Sequence, residues 1–301
     1  MSNPQAVSAT VPIAITDAVL ISTDVTEADY AAWSSGTTYA LAERCIDSHK
    51  IYQSAQAANT NHAVTDTAWW VSVGPTNCWA VFDTSNSTQT VQADSMQYVL
   101  QPGVYFDTVA LLNITDGTAI RLQMDVDGHG TVHDQTIYAS KILTDSSWYA
   151  FLLGDKKSLS SIVFEALPAY STAQITLDIA GLATLAVGVI VVGQRKYFGG
   201  GAHYGARVGI FDYSRKTTDE FGNTQLQVRR YAKRANFSMR LDGSEIDAVI
   251  EYLASIRATP TLWIGTNLYT ASMIFGIYQN FEVTIAYVDG ADCTLELLGL
   301  T

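Results

Sequence analysis

Cysteine is scarce in this chain: Cys45, Cys78 and Cys293 are odd in number, far apart and never spaced Cys-x-x-Cys. That excludes a disulfide framework or a zinc knot as the organising device, and folding in a reducing cytoplasm fits best. Long apolar runs are missing too. The longest, Ile179 to Val192, is interrupted by Gly181, Thr184 and Gly188 and falls short of the roughly 20 residues that cross a bilayer. It reads as a pair of buried strands, and no membrane partner is expected. Positive charge is in deficit, with 17 Lys and Arg against 29 Asp and Glu for a net charge of −12. A nucleic-acid partner, which needs a basic docking face, is therefore not expected. No basic stretch precedes an apolar core at the N-terminus, so a secretory leader is not expected either.

Catalytic signatures are also lacking. The sequence has no nucleophile elbow, Walker loop, paired-His zinc helix or dinucleotide fingerprint. Gly199-Gly-Gly201 is followed by neither Lys-Ser nor Lys-Thr, so it reads as a flexible joint and not as a phosphate cradle. No enzyme activity and no cofactor is expected.

What remains is a chain 48% hydrophobic and only 15% charged, with six prolines and many Tyr, Thr, Ser and Ala residues. That is the profile of strand-rich architecture with neutral polar surfaces, long enough for two or three domains. Residues 1–28 read as an N-terminal arm with short strands, 29–75 as a small aromatic unit and 76–198 as a β-sandwich. Residues 199–301 read as a β domain with one helix. Within 76–198, alternation predicts nine strands: Trp79–Phe82, Gln97–Leu100, Thr108–Ile114, Ala119–Val126, Thr131–Ile137, Trp148–Leu153, Ser161–Phe164, Gln174–Ile179 and Ala186–Val192. Between them, Asp125, Asp127, His129, His133 and Asp134 crowd ten residues. Two glycines there favour a hairpin turn, with a cation site as the alternative.

The chain's one amphipathic helix is expected at about 244–257, where Ile246, Val249, Ile250, Leu253 and Ile256 share a face. Ser244 and Asp247 read as its capping box, and Pro260 as its stop. A basic strand, Gln225 to Leu241, leads into it. Residues 195–240 hold ten of the 17 Lys and Arg against three acids. One basic band in an acidic chain suits contact with an acidic surface, and a second copy of the chain supplies one. Arg229, Arg230, Lys233 and Arg234 are the candidate interface residues. The alternative is a solvated strand face.

Three resemblances follow. Ala32-Trp33-x-x-Gly36-Thr37-x-Tyr39, then Ile46-x-x-x-x-Ile51-Tyr52-x-Ser54, then Trp69-Trp70, resembles the small chitin-binding type of carbohydrate-binding module. The resemblance implies that Trp33, Tyr39, Tyr52, Trp69 and Trp70 are the candidate sugar-stacking rings. The family's usual Gly-Asp after the Tyr is Ala42-Glu43 here, and its exposed aromatic pair is replaced by Ala55-Gln56-Ala57-Ala58. The same rings would alternatively be the core of a unit this small. Residues 76–198, closing on Val187-Gly-Val-Ile-Val-Val-Gly193, look like a galactose-binding-type jelly roll.

From Gly199-Gly-Gly201 through Asp219-Glu-Phe-Gly222-Asn223, the basic strand, the helix and the final Cys293-x-Leu295-x-Leu297-x-Gly299-Leu300, the chain resembles the distal-tail or baseplate ring proteins of long-tailed bacteriophages. That resemblance implies a tail-tube-like fold and a structural virion protein, made in the host cytoplasm. It implies a homo-oligomeric, hexameric ring whose partners are its own copies, the tail tube and tail-tip or hub proteins, with host surface polysaccharide as a further contact. The runner-up is a saccharide-binding adhesin with no ring role.

Overall fold

A computed structural model of the chain describes residues 6–142, 156–199, 206–218, 220–266, 269–285 and 290–300. The fold is mainly β, its sheets antiparallel, with one α-helix at Ile246–Ser255 among the described residues. The expected strand at Trp148–Leu153 lies outside them.

A seven-stranded sheet runs in the order Arg195–Phe198, Val7–Thr10, Thr261–Ile264, Met273–Thr284, Gly290–Gly299, Tyr231–Asp242, Arg207–Asp212. Side chains alternate between its faces, as the period of two requires. Phe237, Met239, Leu241, Trp263, Ile274 and Leu295 point to one side and meet Val249, Leu253 and Ile256 of the helix. Leu262, Ile264, Met273 and Phe275 point to the other. There they meet Ala110, Leu112, Val189 and Val191, from a three-stranded sheet ordered Ser161–Phe164, Thr108–Leu112, Val189–Gly193.

The opposite face of that small sheet carries Val109, Leu111, Ile162, Phe164, Ile190 and Val192. These pack on the sheet ordered Gly130–Tyr138, Thr115–Val126, Gln174–Val187, Ser95–Leu100, Leu20–Thr23, whose sixth strand, Thr90–Val91, also pairs with Gln174–Val187. The layers are thus large sheet, small sheet, seven-stranded sheet, helix. The small sheet is buried on both faces, which is why Val189–Gly193 is an unbroken apolar run and does not alternate. Gly188 divides the longer run from Ile179 to Val192 into two strands of different sheets. A Cβ on it would lie 2.8 Å from both the Asn113 Cβ and the Asn86 carbonyl oxygen, so only glycine fits the crossing.

Several expectations are corrected. Trp79–Phe82 is not a strand: Asn77–Phe82 forms a 3-10 turn, a three-residue repeat that lets Trp79 meet Phe82 edge-on at 5.7 Å. Glu245, not Ser244, is the helix N-cap residue and makes no side-chain capping bond; its N–H closes a turn onto the Asp242 carbonyl instead. The basic strand is broken into Thr224–Gln227 and Tyr231–Asp242. Two segments outside 199–301, Val7–Thr10 and Arg195–Phe198, complete the seven-stranded sheet. Arg195 is buried there: its side chain donates to Ser8 Oγ at 2.7 Å and pairs with Glu165, while its backbone N–H donates to Asp107.

Residues 29–75 fold around Tyr39, Cys45 and Trp70, beside a sheet ordered Arg44–Asp47, Lys50–Ser54, Trp70–Pro75. The unit is fastened to the sandwich by His49. That ring stacks on Trp79 at 4.1 Å, and its two nitrogens lie 2.8 Å from Asp17 and 3.0 Å from Glu27.

Candidate interaction surface

The strand Arg207–Asp212 pairs with residues 231–236 and is an edge of the seven-stranded sheet. The chain then bends. Asp212 accepts the Ser214 N–H at 2.8 Å, and Ser214 Oγ accepts the Arg229 N–H at 3.0 Å. These bonds to Ser214 hold the Asp212 carboxyl below the usual carboxylate range. Past the bend a separate two-stranded ladder, Arg215–Thr218 with Thr224–Gln227, runs out to a turn at Gly222, whose φ of +84° favours glycine. The whole forms an arm.

This arm is apolar where water should be. Val208, Ile210, Phe211 and Tyr213 are exposed on its outgoing side, and Leu226, Val228 and Tyr231 on its return. At its tip, Phe221 is 89% exposed. Both faces carry such residues, because neighbours in sequence such as Ile210 and Phe211 are both exposed. A monomer normally exposes large apolar residues singly, and a contiguous set of them marks an interaction surface.

The sequence-predicted cations belong to the same element. Arg229 donates to Gln227 Oε1 at 3.3 Å, and Arg230 donates to Ser87 Oγ of the sandwich. Arg234 crosses Gly209, its Nε 3.5 Å from where a Cβ on that glycine would lie. Lys233 is half-buried, and burial lowers its pKa. With Arg207, Arg215 and Lys216 the arm and its root hold seven cations. None has a carboxylate within ion-pair distance among the described residues.

The candidate sugar-stacking rings divide. Tyr39 and Trp70 are 4% and 2% exposed and meet edge-on at 5.0 Å. The Tyr39 hydroxyl accepts the Ser34 N–H, and the Trp70 ring N–H donates to the His62 carbonyl. Both are core, with their polar ends already satisfied. Trp69 has one face covered by His62, stacked at 3.8 Å and 10°. Trp33 and Tyr52 are half-buried against the same cluster. The structure therefore brings the five together as a small core and leaves three partly open to a ligand.

Asp125 to Asp134 forms the expected hairpin, turning at Gly128 and Gly130 with positive φ. Asp125 accepts from Gln123 and Thr131, and Asp134 is bidentate with Arg121. Among the described residues, no group of three or more His, Cys, Asp or Glu is placed to share a metal ion. The three cysteines are buried, and burial first, then neighbouring carboxylates, pushes each thiol up to about 11. Burial of this kind disfavours the thiolate form.

Sequence reasoning placed the cations but missed Val208, Ile210 and Phe221. The signal was present in Arg207-Val-Gly-Ile-Phe-Asp-Tyr213, where apolar residues fall on both strand faces beside an excess of charge. The sequence matches no protein-family model and no curated protein.

Proposed function

We propose that this chain is a structural, self-assembling subunit of a bacteriophage tail tip. In this reading its copies form a closed, hexameric ring that joins the tail tube to tip or hub proteins and carries the sandwich and aromatic unit outward. The observation that carries the reading is the arm, a β-hairpin that exposes apolar residues on both faces and bears cations with no carboxylate partner among the described residues. Isolated two-stranded hairpins are marginal in water. One with this surface is stabilised when a partner covers it. The acidic remainder of the chain supplies a partner surface of opposite sign, and a contact between two different patches closes into a ring when the rotation allows.

Native mass spectrometry of the purified chain across a concentration series tests the reading. A defined oligomer is expected, and negative-stain images should show rings. A monomer at every concentration counts against it.

The runner-up, a saccharide-binding adhesin, keeps Trp33, Tyr52 and Trp69 as its contact rings. Glycan binding that Trp69→Ala weakens would favour it. Binding unchanged by that substitution removes the site.

A further inference from the structure

At the root of the arm a cleft of about 250 Å³ opens where the strand Gly290–Gly299 runs out between Tyr231–Asp242 and Met273–Thr284. Its apolar lining includes Met273, Phe275 and Leu300; its cations are Arg230 and Lys233. Neither cation has a carboxylate partner among the described residues, and burial already disfavours the charge on Lys233. Asn86 also lines the cleft, and its buried Oδ1 has no hydrogen-bond partner. An occupant that satisfies all three features brings a ring or aliphatic group, a carboxylate beside it and an N–H donor.

The chain displays the first two of these at the tip of the arm. Glu220 and the 89% exposed Phe221 are adjacent there. The tip does not occupy the cleft of its own copy: Phe221 is not among the residues that line it.

The geometry points to a tip-into-root contact between copies: Phe221 of one copy enters the apolar wall of the next copy's cleft, and Glu220 meets its Arg230 and Lys233. Such a contact is head-to-tail, since tip and root are different patches, and it propagates from copy to copy around a ring. A single buried aromatic anchor flanked by a charge pair is the usual make-up of an interface hot spot. This rests on the reading of the chain as a self-associating subunit and adds where the association is seated.

Sedimentation or native mass spectrometry of the full chain tests it with four forms. Phe221→Ser and Glu220→Lys change only exposed tip positions and should each weaken self-association at least about tenfold, with unchanged far-ultraviolet circular dichroism. Lys233→Glu should weaken it similarly, and Glu220→Lys combined with Lys233→Glu in one chain should recover much of the loss. A photoreactive benzoyl-phenylalanine in place of Phe221 should crosslink to peptides carrying Ser87 or Phe275 of another copy. Normal assembly by both tip variants, or crosslinks confined to other surfaces, overturns the inference and leaves the self-assembly reading standing. A wild-type chain that never associates overturns both.

Discussion

The small three-stranded sheet and the strand Arg207–Asp212 at the base of the arm both carry Val, Ile and Phe side chains, and these side chains have opposite fates. Thr108–Leu112 and Val189–Gly193 are covered on both faces by the chain's own sheets. Arg207–Asp212 and Thr224–Gln227 are exposed along almost their whole length. Burying a Val or Leu side chain fully is worth about 1.5–3 kcal/mol, so the middle sheet is where this fold collects its stability. The arm collects almost none from the folded chain. Apolar content alone does not make a core; the same side chains are a core where the topology covers them and an exposed surface where it does not.

Four experiments sharpen or break that contrast. The largest effect is expected at Arg195, which joins the sheet system through Ser8, Glu165 and Asp107. Arg195→Ala leaves Glu165 without its cation and should cost about 3–5 kcal/mol in urea unfolding. A loss under about 1 kcal/mol would show that the joint is not structural. Next, Leu111→Ala in the middle sheet should cost about 3 kcal/mol by the same assay. A near-neutral result would mean that the sandwich core is not packed as described.

A third effect is set by pH. The buried thiols hold their protons to about 11, above the ordinary value of 9.0. The folded chain therefore binds more protons than the unfolded chain between those values. Stability from this source is fully present below pH 9 and is lost as pH rises toward 11, and thermal melts across that range should show the decline. Replacing all three thiols by Ala should make it shallower, and the part that remains belongs to Tyr98, Tyr197 and Tyr252, whose hydroxyls burial also pushes up. The smallest effect on stability belongs to the arm: Ile210→Ser should change unfolding free energy by less than about 0.5 kcal/mol while shifting the concentration dependence of assembly. If it destabilises the monomer as Leu111→Ala does, the two regions are not different in kind.

Much of the fold was legible because local patterns decide it. The helix declared itself through Val249, Leu253 and Ile256, and most sandwich strands through alternation and turn residues. Trp79–Phe82 was misread because apolar residues three apart satisfy a 3-10 turn as easily as a short strand. Val7–Thr10 fell within the expected N-terminal arm, but its neighbours Arg195–Phe198 and Thr261–Ile264 are far away in sequence, and no local pattern encodes so distant a pairing. Of the candidate site, charge was countable and exposure was not. Arg229, Arg230, Lys233 and Arg234 stood out by sign, whereas Phe221 became notable only once the turn at Gly222 lifted it from the body. In the aromatic unit Trp70 shares residue type with Trp69, and only packing separates core from rim.

The placement of Val7–Thr10 has a consequence for how the chain is made. Ser8 and Ile264, hydrogen-bonded neighbours in the finished sheet, are 256 residues apart. At bacterial or eukaryotic elongation speeds the first strand leaves the ribosome roughly 10–50 s before that neighbour does. The sandwich and aromatic unit can fold in that interval, but the seven-stranded sheet cannot close until synthesis is nearly over. A truncated translation product would thus display finished outer domains on an unfinished base, with the unpaired backbone edge of Val7–Thr10 open to chaperones or to aggregation.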